Sequence, residues 1–391
     1  AVVVSRRPSR AISKFVPFML LVIFIVISSL VSLPDIPVYF FIAVVFVTSM
    51  LVTSNRKEQL ISCIRLSVTA LFALWLCENL KIEEILELAY YAQILFVLAN
   101  LVFVTVFSRY VYRESTSYAK DFVGIFSAKN GAGTEFTFGI LLQLTYLRIR
   151  RGREQNLPKF FILVFFVQLL LLIMTHNVGA MFAGGVALVY IWLIYKGEGH
   201  ARLPLGYLYI AMTIAFLFAA LTILPLFTPF FESIGKDATL TGRVPLWEQI
   251  ISLMQKSHTL MGYGYGMFWR NDAAIQMLHN GFGRNTFMHD MVSGAHNYVL
   301  ELWLNIGLLG VAAFFGAVFF SFRNITALEE DQYIFCAAYL LMFMVYGFTE
   351  RASGTYEYLI LFMYLMLGMG NNWEQEKRET FIRSAQSYIS T

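Results

Sequence analysis

The sequence predicts an all-α polytopic membrane protein with about 11–12 transmembrane helices and one large external loop subdomain. Three observations predict it. Of 391 residues, 58% are hydrophobic and only 14% are Asp, Glu, Lys or Arg, whereas a soluble domain needs roughly a quarter charged residues to cover its surface. The mean hydropathy is +0.64. The apolar residues run in blocks of about 17 to 25, and about 20 such residues cross a bilayer core. A soluble enzyme is excluded. The 29 basic and 25 acidic residues leave a net charge of +4, too balanced to suggest a nucleic-acid partner.

Reading the blocks between charged, Pro or Gly punctuation places candidate spans at 15–33, 38–54, 60–77, 84–108, 133–147, 160–175, 178–195, 205–223, 297–320, 332–349 and 355–371. The block 133–147 is short for a crossing, so it is expected to begin earlier or to tilt. Ala1 stands where an initiator Met is expected to have been removed, and 15–33 lacks the small-residue cleavage site of a signal peptide. Cys63, Cys77 and Cys336 lie inside apolar blocks without ligand or pairing spacing and read as small core hydrophobes.

Orientation follows the basic loops. Between Leu147 and Lys159 stand Arg148, Arg150, Arg151, Arg153 and Lys159 against a single acid, Glu154, which marks a cytoplasmic loop. Counting forward, 196–204, 321–331 and the tail after Asn372 share that side, while 109–132 and 224–296 face outward. Counting backward leaves Arg6, Arg7, Arg10 and Lys14 outside, against the rule. Either one N-terminal block does not cross, or a further crossing hides in 109–132, or helix-forming sequence precedes Ala1. The chain divides into N-terminal helices (1–108), central helices with a polar loop (109–223), an external subdomain (224–296), C-terminal helices (297–372) and a cytoplasmic tail (373–391).

The external segment 224–296 carries five basic residues, five acids and eight glycines. Pro245 suits a first helical turn, and Trp247, Ile250, Ile251 and Met254 recur at helical spacing. An amphipathic helix on the membrane surface or over a cavity is expected. A loop of this length is functional or disordered, and its aromatics argue against disorder.

The segment opens with Leu240-Thr241-Gly242-Arg243 followed by Trp247, turns through Gly262-Tyr263-Gly264-Tyr265-Gly266, and enters the next span at His296-Asn297-Tyr298-Val299-Leu300-Glu301 before Gly307 and Gly310. Upstream stands Gly124-Ile125-Phe126 with Lys129-Asn130, and downstream Gly347-Phe348-Thr349-Glu350. In this order the five elements resemble the O-antigen ligase/polymerase superfamily of bacterial envelope glycosyltransferases, and the Lys-Asn and Thr-Gly-Arg versions resemble Wzy-type exopolysaccharide polymerases. At the end of a central span, where many members carry a Ser/Arg pair, this chain has Thr175-His176-Asn177.

The resemblance implies a GT-C-like fold in the bacterial inner membrane, with its site facing the periplasm or cell exterior. It further implies glycan transfer from an undecaprenyl-diphosphate-linked oligosaccharide, with a chain-length regulator and a flippase as partners. The leaving group is already activated, so what the protein must supply is a cation for the diphosphate and help in deprotonating the acceptor hydroxyl. Arg243 fits the first role, because a guanidinium is permanently charged and holds two phosphate oxygens in one plane. Its alternative is a solvated loop arginine. His296 fits the second, as base or as acceptor-orienting group. Its alternative is a hydrogen-bonded histidine at a helix start.

Lys129 is either a second diphosphate contact or a marker of the interface, with Asn130 beside it. Asn297 and Glu301 share a helix face; Glu301 either positions His296 or binds a sugar hydroxyl. Glu350 is expected to bind substrate or to pair with its neighbour Arg351. His176 and Asn177 could stand in for the missing arginine. Tyr263, Tyr265 and Trp269 could stack on sugar rings, and Tyr298 belongs to the same substrate-binding element. His258, His279 and His289 read as surface histidines. No metal spacing and no nucleotide frame appear in the outward segments, so a reaction without metal or other cofactor is expected. The resemblance implies an inverting polymerase of repeat units, with a ligase that moves finished glycan onto lipid A core or a protein as the nearest alternative; a flippase or transporter is the reading from another class, and it predicts charges within the spans and repeat symmetry, neither of which stands out here.

Overall fold

The computed structural model describes residues 35–52, 55–113, 120–126, 128–152, 155–196, 202, 204–223, 226, 242–282, 294–323, 325–348, 350 and 361–369. They are almost wholly helical. In chain order the helices are α1 (Ile36–Val52), α2 (Arg56–Asn79), α3 (Ile82–Val106), α4 (Lys129–Gly152), α5 (Phe161–Met174), α6 (Val178–Lys196) and α7 (Leu205–Phe218), the last ending in a π turn at Ala219–Ile223. After them come α8 (Arg243–Lys256), α9 (Asp272–Gly281), α10 (Tyr298–Phe322), α11 (Glu330–Gly347) and a buried helix α12 at 361–369. Two short strands, β1 (Tyr112–Arg113) and β2 (Asp121–Phe122), pair antiparallel.

Every candidate span from 38–54 onward overlaps a helix within the described residues, and the block 15–33 lies outside them. Among the described residues, four helices are long and apolar enough to cross a membrane: Arg56–Asn79, Ile82–Val106, Gly206–Ile223 and Tyr298–Phe322. Three shorter apolar ones accompany them: Ile36–Val52, Phe161–Met174 and Val178–Ile194. The protein is an all-α polytopic membrane protein. The short block 133–147 does begin earlier, at Lys129, and continues to Gly152, so that Arg150 and Arg151 fall in the last turn where positive charge opposes the helix dipole.

Lipid and protein faces are separated by residue type. On α5 the exposed residues are Ile162, Leu163, Phe166, Leu170 and Ile173, at helical spacing, while Gln168 is fully buried. Exposed apolar side chains cost nothing in hydrocarbon, so this face needs no protein partner. The buried one does. Gln93 of α3 donates to Gln168 at 2.9 Å, and Gln168 donates to Gln143 of α4 at 2.7 Å. A Cβ on Gly139 would strike both Gln93 and Gln168, so the glycine makes room for this amide ladder.

α10 packs most extensively on α1, and α11 on α6. α10 is interrupted at Gly307, whose φ is +67°. The backbone groups released there are satisfied by residues of the preceding loop. Leu308 and Leu309 amides donate to the carbonyls of Thr259 (2.9 Å) and Leu260 (3.1 Å), and the Tyr263 amide donates to the Leu304 carbonyl (2.8 Å). A broken helix is tolerated in a membrane protein where protein supplies such partners. Gly262 lies against this break, its Cβ position 2.6 Å from the Asn305 carbonyl carbon and the Gly307 nitrogen.

The described stretch 242–282 is therefore packed into the bundle. Its core, formed by Val244, Leu246, Trp247, Ile250, Met254, Phe268 and Leu278, is completed by Leu300 and Leu304 of α10 and Ala220 of the π turn. The amphipathic helix expected around Pro245 is α8, but its apolar face is buried in this core rather than laid on a lipid surface. The idea of a further crossing within 109–132 is corrected. β1 and β2 pair, and Asp121 contacts both Lys129 at the start of α4 and His176 beyond the end of α5, so the chain leaves α3 and enters α4 at one end of the bundle.

Candidate functional site

Arg243, His296 and Glu350 meet at the end of the bundle opposite the basic loop. Arg243 Nη2 lies 2.6 Å from Glu350 Oε1, and His296 Nδ1 lies 3.2 Å from Glu350 Oε2. One carboxylate thus bridges a permanent cation and an imidazole. Each partner comes from a different element. Arg243 is the first residue of α8, which the chain enters through Gly242 at φ +82°, a conformation that favours glycine. Glu350 lies just beyond α11, its amide donating to the Tyr346 carbonyl at 3.0 Å. Glu350 pairs with Arg243; its expected pairing with Arg351 falls on a residue outside the described ones.

His296 is held from both sides in a left-handed backbone, φ +48°. Before it, the Ala295 carbonyl accepts from Trp247 Nε1 at 2.8 Å and the Ala295 amide donates to Glu301 Oε2 at 2.9 Å. After it, Asn297 caps α10, accepting from the amides of Val299 and Leu300 at 3.0 Å each, and donates to the Phe348 carbonyl at 3.1 Å. Glu301 is buried, its Oε1 accepting from Trp269 Nε1 (2.7 Å) and Asn305 Nδ2 (3.2 Å). Its contacts position the Ala295–His296 turn. Left-handed histidines cost about 1–3 kcal/mol and persist where their surroundings over-determine them.

A second group also sets a carboxylate between a cation and an imidazole. Asp121 Oδ2 lies 2.9 Å from Lys129 Nζ, and Asp121 Oδ1 lies 3.0 Å from His176 Nδ1. His176 also has a left-handed backbone, φ +50°. Asn130 takes part through its main chain: its carbonyl accepts from Thr134, from Asn177 Nδ2 (3.2 Å) and from Tyr346 OH (3.3 Å). Tyr346 therefore joins the two groups, since Glu350 hangs from the same residue by its amide.

The tyrosines are placed differently. Tyr263 is buried, stacked on His258 at 4.0 Å and edge-on to Phe268. Tyr265 is pinned by its backbone, its amide donating to Ser49 Oγ and its carbonyl accepting from Gln59 Nε2, both at 3.0 Å. With Tyr298 it lines an internal apolar cavity beside Phe41, Phe314 and Tyr364. Tyr298 packs edge-on to Phe314 and Phe343. His258 is exposed and His279 half-buried; His289 lies outside the described residues. Among the described residues no group of three or more His, Cys, Asp or Glu side chains is gathered as a metal-ligand set.

Asp121 was not among the candidates. It is one aspartate in a loop with no spacing partner in sequence, and only folding brings Lys129 and His176 to it. Glu135, buried one turn and a half into α4, was also passed over. A carboxylate within an apolar block is the signal that could have found it.

A helical bundle with apolar outer faces, and with two charged groups gathered at one end, defines a multi-pass membrane protein. Within that class, residues 163–315 match the family model described as O-Antigen ligase. Over those residues, less than half of the chain, it is similar to that family. The match spans His176, Arg243, His296 and Glu301, while Asp121, Lys129 and Glu350 lie beyond it. No curated protein matches the chain.

Proposed function

We propose that the protein is an inverting glycan polymerase of the bacterial inner membrane, joining undecaprenyl-diphosphate-linked repeat units at the periplasmic or outer face. The observation that carries the reading is the Arg243–Glu350–His296 group. The donor is a growing glycan on a lipid diphosphate; the acceptor is a new repeat unit. The acceptor hydroxyl oxygen forms a bond to the anomeric carbon from the side opposite the diphosphate. The carbon–oxygen bond to the diphosphate breaks, and that carbon inverts. The hydroxyl proton passes to His296 Nε2, and the electron pair leaves with the lipid diphosphate. Glu350 holds Nδ1 of His296, which turns Nε2 toward the acceptor and favours the imidazolium that forms. Arg243 carries five N–H donors, so those turned away from Glu350 are available to the departing diphosphate. No metal or nucleotide is needed for a leaving group already activated. A chain-length regulator and a flippase complete the system.

The family description favours a second reading, a ligase that moves finished glycan onto lipid A core or a protein. The acceptor separates the two. Purified protein in detergent is given one lipid-linked repeat unit as both donor and acceptor, and the products are run on a gel. A ladder of multiples, lost in Arg243→Gln, supports the polymerase. A single transferred product that forms only when lipid A core or protein is added establishes the ligase instead.

A further inference from the structure

Asp121, Lys129 and His176 take no part in the transfer step at Arg243, yet they repeat its chemistry. In both groups a buried carboxylate joins one cation to Nδ1 of a left-handed histidine. In both, the donors are more exposed than the acid: the Lys129 and His176 side chains are 36% and 32% accessible, against 8% for Asp121. The carboxylate is the buried member of the group, and the cation and the imidazole are its more exposed members. Lys129 has three N–H donors and is the first residue of α4, where the helix dipole also favours an anion. Tyr346 and Glu350, which tie the two groups together, stand four residues apart, about 6 Å at helical rise. Both groups therefore sit at one level of the bundle.

We infer that the Asp121–Lys129–His176 group is a second prenyl-diphosphate site, which holds the carrier of the acceptor while Arg243 holds the carrier of the donor. The inference rests on the polymerase reading, since only a polymerase brings two carriers to one chain. Lys129 Nζ and His176 Nε2 donate to the acceptor's diphosphate, with Asp121 fixing both between turnovers. The acceptor's repeat unit then arches from one group to the other, which delivers its distal hydroxyl to His296.

The test is equilibrium binding of undecaprenyl diphosphate to the full chain in lipid nanodiscs, read as equivalents bound per chain. Wild type is expected to bind two. Lys129→Gln and His176→Asn, the latter able to keep the left-handed backbone, each leave one; Arg243→Gln also leaves one, and Lys129→Gln with Arg243→Gln leaves none. Lys129→Arg restores the second equivalent, which a folding defect at this position would not predict. In a transfer assay with a lipid-linked glycan blocked at its distal hydroxyl as donor and one lipid-linked repeat unit as acceptor, Lys129→Gln raises the KM for the acceptor at least about tenfold and leaves that for the donor unchanged. One equivalent in wild type, or two that are insensitive to Lys129→Gln, or loss of both in Arg243→Gln alone, overturns the second site. Uptake of inorganic diphosphate at Lys129 without uptake of the carrier overturns it in favour of a free-anion site. Two equivalents with the expected variant pattern, but no polymer from any donor, would sink the polymerase reading and leave the second site standing.

Discussion

Glu350 sits between a guanidinium and an imidazole, and what it does for each can be separated by substitution. Glu350→Gln keeps the shape but loses the charge that turns His296 and holds Arg243, so transfer should fall about 10²-fold, the scale of a misplaced acid or base. A rate within twofold of wild type would remove Glu350 from the account. Glu301→Gln acts at one remove. Its new NH2 must face either the Ala295 amide or the indole and amide donors of Trp269 and Asn305, a donor–donor conflict costing about 1–3 kcal/mol. Lower thermal stability together with lower kcat is expected; kcat lost with the melting temperature unchanged would mean that Glu301 touches substrate instead. Arg243 and His296 were legible in the sequence because each stands in an ordered series of short elements. Their shared partner was not, because Glu350 is more than fifty residues further on and a neighbouring arginine offered a simpler pair.

At the scale of elements, α10 shows where the sequence is silent. Its apolar run gives the span, but Asn305-Ile306-Gly307 carries no breaker strong enough to announce the interruption that the 259–263 backbone fills. The Gly-x-Gly-x-Gly turn was legible as turn geometry; its seat against that interruption was not, because it depends on main-chain contacts between distant segments. Gly307→Ala should destabilise the protein by about 2–3 kcal/mol or more, since a Cβ at φ +67° strikes the Leu260 backbone. Unchanged melting in detergent would show that the break is not rigid. The amide ladder gives a second check. Gln168→Leu strands Gln93 and Gln143 in the bundle and should cost about 1–3 kcal/mol, whereas replacing all three by leucine should cost less. The reverse order would contradict the ladder's being a matched set.

For the whole molecule, fold class was legible because a bilayer imposes length and apolarity on each helix, and both are local properties of sequence. Every block after 15–33 became a helix for that reason. The nesting of the external segment was not legible. Its core borrows Leu300, Leu304 and Ala220 from the bundle, and hydropathy cannot distinguish such residues from lipid-facing ones. The nesting brings Arg243 on α8, His296 before α10 and Glu350 after α11 to one point. The most direct measurement of what happens there is release of undecaprenyl diphosphate during transfer, in single turnover, with wild type, Arg243→Gln and His296→Asn. One carrier diphosphate should be freed per glycosidic bond formed, with the rate falling about 10²–10³-fold in Arg243→Gln and comparably in His296→Asn. Transfer at the wild-type rate in either variant would contradict the assignment of this group as the site of glycan transfer.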